Sequence, residues 1–200
     1  KVTMTDGRIW SNYAKSSGGG VYMAGGELTL NNVELEYNKG YIGNPASPID
    51  GSAVYMAGGV LTMNGGTITR HNAWTDTGTV YMAGGTFHLN GGSITGNTNL
   101  DGSVYLKGGT FQVSGSAQVT GNAGDIVLPA DGSGIIAIGG PLDSGARLGV
   151  TAAEGQTITS GWSAQMPGGE PGAYFTSGTT GLIPVLENGE VVLRAGYWHA

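Results

Sequence analysis

The sequence predicts an all-β fold. It is expected to be a right-handed parallel β-helix, a three-sheet solenoid of about five to six rungs, with a C-terminal β-rich cap. Three observations carry that prediction. The hexapeptide VYMAGG stands at 21–26, 54–59 and 80–85 and returns as VYLKGG at 104–109. Each copy is followed by an apolar–polar–apolar triplet: LTL at 28–30, LTM at 61–63, FHL at 87–89 and FQV at 111–113. Glycine supplies 40 of the 200 residues, which demands frequent tight turns and leaves little room for long helices.

The repeat valines Val21, Val54, Val80 and Val104 are spaced by 33, 26 and 24 residues, within the range of solenoid periods. Alternation of period two assigns the faces. Val21, Met23, Leu28, Leu30 and Leu35 point inward in one unit, and Val54, Met56, Leu61, Met63 and Ile68 in the next. Three short strands cannot bury such faces alone. Stacked in parallel at ~4.8 Å they enclose one apolar column, and the crossover rule gives the right hand. The opening VTMTDGRIWSN at 2–12 reads as the tail of an earlier unit, and 125–150 as a sixth, degenerate rung with DIVL, GIIAIGG and ARLGV. The β-helix is thus expected over 1–150. Residues 151–200, where ENGE separates two apolar runs as a hairpin turn would, are expected to cap its end. Asn12, Asn38, Asn72, Asn97 and Asn122 close the third strand of each rung and read as a corner ladder of side-chain amides.

The GGxIxxN cadence with GGGVY-like starts resembles the repeats of large surface proteins of gut Gram-positive bacteria. It is also similar to chlamydial polymorphic outer-membrane repeats, and the coil resembles the pectate-lyase-like superfamily. The resemblance covers roughly 1–150. It implies a secreted, wall-attached adhesin or glycan-facing protein.

Composition narrows the partners. Eight basic against fourteen acidic residues leave a net charge of −6, which argues against nucleic acid and anionic membrane surfaces. No apolar run approaches the ~20 residues that span a bilayer, so no membrane insertion is expected. Absence of cysteine removes disulfides, thiolate metal sites and a thiol nucleophile. Charged residues are only 11% of the chain, and the Thr-, Ser-, Asn- and Tyr-rich surface suits glycans or other cell-surface molecules as well as it suits plain stacked strands. With no leader at Lys1 and no N-terminal cap, the chain reads as part of a longer multi-module polypeptide of the secreted or bacterial cell-surface class.

Candidate sites follow from the faces. Tyr22, Tyr55, Tyr81 and Tyr105 share one outward register, as a platform for sugar rings or as a self-stacking ladder. The corner between Asn38 and Val54 is the longest, KGYIGNPASPIDGSA, and insertions on one face of a solenoid are where binding usually sits. Tyr55 and Tyr81 are therefore expected as the stacking platform of a glycan site, with Tyr41 and Trp74 as its walls. Asp50, Asp76 and Asp101 precede the repeat valines as turn residues or as a Ca²⁺-bridged stack; the turn reading is preferred because no ligand-dense motif surrounds them. Glu34 and Glu36 lie two residues apart, near a glycosidase spacing, but Arg8 and Trp10 on the adjacent rung explain them as an ion pair and packing. Arg70, Arg147 and Arg194 are expected to share no register with those acids. His71, His88 and His199 lack metal-ligand spacing and read as surface residues. The outward pairs Thr67/Thr69 and Ser93/Thr95 are too short an array for ice binding. A non-catalytic module without cofactor or metal is the expectation; a diverged polysaccharide lyase or hydrolase is the alternative.

Overall fold

A computed structural model of the chain describes residues 1–40, 50–72, 77–99 and 101–196. Strands follow one another in rungs. The first rung is β1 (Val2–Thr5), β2 (Arg8–Trp10) and β3 (Tyr13–Ala14); the second is β4 (Val21–Met23), β5 (Glu27–Asn31), β6 (Val33–Glu36) and β7 (Lys39–Gly40). Then come β8 (Val54–Met56), β9 (Val60–Met63) and β10 (Gly66–Thr69), followed by β11 (Val80–Met82), β12 (Thr86–Leu89) and β13 (Ser93–Thr95). The fifth rung is β14 (Val104–Leu106), β15 (Thr110–Gly115) and β16 (Gln118–Val119), and the sixth β17 (Ile126–Val127), β18 (Ile136–Leu142) and β19 (Arg147–Thr151). After β20 (Thr159–Ser160) come a one-turn helix α1 (Trp162–Gln165), β21 (Phe175–Ser177), β22 (Leu182–Glu187) and β23 (Glu190–Ala195). The architecture is a right-handed parallel β-helix of about six turns.

Rung stacks on rung in register. Val21 pairs with Val54, Val54 with Val80, Val80 with Val104, and Val104 with Ile126. On the next face Leu28, Leu61, Phe87, Phe111 and Ile136 form a second inward column. A third runs through Ile9, Leu35, Ile68, Ile94, Val119, Leu148 and Phe175. Met56, Leu61, Met63, Ile68, Met82 and Phe87 have no solvent exposure, so the column is dry through its middle. Burial of a side chain of this size contributes about 1.5–3 kcal/mol, which is why alternation dominates the choice of residue here.

The last glycine of each hexapeptide has a backbone reason. Gly26, Gly59, Gly85 and Gly109 all adopt positive φ, between 77° and 84°. A Cβ on Gly85 would stand 2.6 Å from the carbonyl oxygen of Gly59 on the rung before. Conformation favours glycine at all four corners, and clearance against the preceding rung demands it as well at Gly59, Gly85 and Gly109.

The three expected sheets are joined. One sheet holds seven strands, from β1 to β20; the other two merge into a single twelve-stranded sheet through β19. Leu148 of β19 pairs with Val119 of β16, while Val150 pairs with Ile126 of β17. Earlier rungs interpose a long corner at this point, whereas β19 runs straight through at Gly149, against which the Asp125 carboxylate packs. Parallel pairing continues past Val150, with β20 on β18 and β21 on β19.

Beyond the rungs, β22 and β23 form an antiparallel hairpin turning at Asn188 and Gly189, both at positive φ (49° and 85°). That is the backbone an Asn-Gly two-residue turn supplies. Fully buried Trp162 packs on Tyr174 and Phe175, each ring 5.8 Å away, and extends the apolar column. Glu190 fixes its backbone by accepting hydrogen bonds from the Gly161 and Trp162 N–H groups (2.8 and 3.1 Å) and from the Thr159 hydroxyl (2.9 Å).

Candidate ligand-binding surface

The tyrosine row is continuous. Ring centroids of Tyr22, Tyr55, Tyr81 and Tyr105 lie 5.2, 5.5 and 5.5 Å apart, with planes within 10° of parallel. This is offset face-to-face stacking along the solenoid axis. Both faces of Tyr55 and of Tyr81 are therefore taken by neighbouring rings, and outward they present edges and hydroxyls. Tyr81 is buried rather than exposed. Burial, with the Asp50 carboxylate adding to it, pushes the Tyr81 hydroxyl above its ordinary pKa. Burial also raises Asp50, against the opposing effects of a Thr77 hydrogen bond and of Lys107. Corner backbone stacks beside the row: the N–H groups of Gly18 and Gly51 donate to the carbonyls of Asp50 and Thr77. Tyr41 and Trp74, the expected walls of a site here, lie outside the described residues, as do Asp76 and His199.

The acids of β6 are held by arginines from two rungs. Arg8 donates through both Nε and Nη2 to Oε2 of Glu34, at 2.9 and 2.7 Å. Glu36 is only 5% exposed and lies 2.9 Å from Nη1 of Arg70 and 3.7 Å from Nε of Arg8. By strand register Arg70 lies opposite Tyr37 and not opposite these acids, as expected, yet its guanidinium reaches the Glu36 carboxylate. Thr69 pairs with Glu36, and the backbone turns left-handed at Arg70 (φ 58°), which sends its side chain back across the preceding rung. Asp6, Arg8 and Glu34 line one shallow cleft of about 380 Å³, where Asn32 donates to the Asp6 carboxylate at 2.6 Å.

The corner ladder is longer and more mixed than the asparagine spacing suggests. In every step but the one from Asn38 to His71, where imidazole Nε2 faces Asn38 Nδ2, the side-chain oxygen of one residue accepts from both the backbone N–H and the side-chain donor of the residue before it in the series. Asn38 does so for Asn12 (3.0 and 2.9 Å), Asn97 for His71 (3.0 and 3.1 Å), and Asn122 for Asn97 (3.0 and 2.9 Å). Asp125 ends the series by accepting from Asn122. The third-rung member is His71, not Asn72, because counting from the Thr69–Glu36 pair sets His71 opposite Asn38. His71 is thus fully buried rather than a surface residue, and burial pushes its pKa down to about 4. Asn72 is exposed and accepts from the Thr98 hydroxyl at 3.1 Å.

A second cleft escaped the sequence reading. Trp10, Tyr13, Tyr37, Lys39, Arg70 and Asn72 line about 390 Å³ beside this ladder. The available signal was register: Trp10 is outward on β2, and Ser11, Tyr37 and Arg70 occupy equivalent places on three rungs. Among the described residues no group of three or more His, Asp or Glu side chains could hold a metal ion, and no helix is long and apolar enough to cross a membrane.

Comparison with known proteins adds no relative: no protein-family model, curated protein or solved structure matches this chain.

Proposed function

We propose that the chain is a non-catalytic β-helix module of a secreted or cell-surface bacterial protein, serving as a stalk or adhesin that contacts glycans. The observation that supports this reading is how the polar side chains of the rungs are used. Tyrosines stack on tyrosines, amides bond to amides, and Glu34 and Glu36 are taken up by Arg8 and Arg70. In-register ladders of this kind stiffen a rod and leave recognition to clefts and corners. The alternative of a polysaccharide-active enzyme has one feature in its favour, the cleft holding Asp6, Glu34 and Arg8. Yet each of those carboxylates already accepts a short hydrogen bond from a neighbour.

A glycan array probed with the purified chain, run beside a reducing-sugar assay on acidic and neutral polysaccharides, separates the two. Retention of glycans without new reducing ends supports the module. Release of product that is lost in Glu34→Gln would establish the enzyme instead.

A further inference from the structure

The geometry points to the cleft between Trp10, Tyr37 and Arg70 as a binding site for a sugar unit that carries a carboxylate or sulfate. The proposal rests on the glycan-contacting reading above and names where, and through which chemistry, that contact is made. Three aromatic side chains converge on this space while remaining open to solvent: Trp10 is 56% exposed, Tyr13 59% and Tyr37 48%. Unlike the rings of the tyrosine row, none of the three is stacked face to face on another ring among the described residues. Trp10, and the faces of Tyr13 and Tyr37 turned away from Lys39 and Arg70, offer apolar surface for the C–H faces of a pyranose.

Two cations flank the rings. The Lys39 ammonium lies 4.8 Å from the centroid of Tyr13, and the Arg70 guanidinium 5.9 Å from that of Tyr37. Arg70 shares its charge with Glu36, whereas Lys39 has no carboxylate partner among the described residues. A cleft with one uncompensated cation, in a chain of net charge −6, selects an anion locally. Its volume, about 390 Å³, suits one or two sugar units, and Asn72 supplies an amide at the rim.

Backbone strain marks the same place. Ser11, Tyr37, Arg70, Gly96 and Gly121 occupy one register position, and all five are left-handed, with φ between 53° and 73°. Glycine adopts this conformation without penalty and fills it on the two later rungs, whereas bulky side chains adopt it at a cost. Tyr37 and Arg70 sit there nonetheless, and both line the cleft. Residues held against backbone preference, where glycine is the easy solution elsewhere in the same molecule, mark a function that outweighs stability.

The test is titration followed by NMR with methyl β-glucuronide, galactose 6-sulfate and methyl β-glucoside. At least one acidic sugar is expected to bind about tenfold more tightly than the glucoside, with affinity falling as salt rises. Carboxylate and sulfate are told apart by which of the two binds. Tyr37→Gly should lose binding about tenfold or more while its Tm is no lower than that of the wild type, and Lys39→Gln should remove the preference for the acidic sugars. Tyr55→Ala, in the tyrosine row, should leave affinity unchanged. Equal affinity for the neutral glucoside overturns the charge selection. Array binding that survives both Tyr37→Gly and Lys39→Gln overturns this site and leaves the glycan-contacting reading standing. No binding to any glycan overturns both.

Discussion

His71 and Asn97 are bonded twice: the backbone N–H of His71 donates to Oδ1 of Asn97 at 3.0 Å, and Nδ1 of the imidazole lies 3.1 Å from the same oxygen. Because that oxygen already acts as an acceptor, Nδ1 carries the proton. Nε2 is then the acceptor that faces Nδ2 of Asn38 at 3.3 Å. An imidazole in this tautomer reproduces an asparagine side chain, with a donor toward one rung and an acceptor toward the other. Protonation would turn Nε2 into a donor facing a donor.

Stability should therefore fall on mild acidification. The folded His71 titrates near 4, against 6.5 for an unperturbed imidazole, chiefly through burial. Between those values the unfolded chain binds more protons, so this contribution is complete above about pH 6.5 and is lost as pH falls toward 4, by up to about 3 kcal/mol. Urea unfolding at intervals from pH 7 to pH 4 measures it. His71→Asn should flatten the dependence in that window; an unchanged slope would rule out His71 as its source.

Asn97→Ala should be costly and Asn72→Ala close to neutral. The first strips the acceptor from two His71 donors and the donor from the Ile68 carbonyl, all in a buried place. An unsatisfied buried polar group costs about 1–3 kcal/mol, so a loss of several kcal/mol in chemical denaturation is expected. Asn72 is exposed and makes its bond at the surface. Equal cost at both positions would place Asn72 back in the ladder.

Met56→Asp and Tyr55→Ser are adjacent substitutions with unequal outcomes. Met56 has no exposure and sits in mid-column, so a carboxylate there should cost several kcal/mol or abolish folding. Tyr55→Ser removes two ring–ring contacts of a partly exposed side chain and should cost about 1–2 kcal/mol. Thermal unfolding by circular dichroism compares them directly.

Gly85→Ala and Gly25→Ala test the corner. At Gly85 φ is 80° and an added methyl would meet the Gly59 carbonyl oxygen at 2.6 Å. Gly25 lacks positive φ and has open space around a Cβ. The first change should cost at least about 1–3 kcal/mol, and the second about 0.5 kcal/mol or less in either direction. Similar melting temperatures for the two variants would sink this account of the hexapeptide.

What the sequence determined by itself is whatever the repeat writes locally. The inward valines, the Leu/Phe and Met columns, the tyrosine row, the glycine corners and the Asn-Gly hairpin each follow from period-two alternation or turn chemistry within a few residues. The β-helix follows because such units can bury their faces only on one another. Tertiary structure decided what depends on register between rungs of unequal length. The letters place Asn72 in the amide series, but the Thr69–Glu36 pairing seats His71 there. The left-handed turn after β10 brings Arg70 to Glu36, a contact across 34 residues that spacing does not reveal. The same stacking that makes the tyrosine row legible also closes its ring faces. Meanwhile Trp10, Tyr13 and Tyr37, which no sequence pattern groups together, meet at one patch of surface. Local pattern sets which residues face in or out; only the pitch and offset of neighbouring coils set which of the outward ones meet.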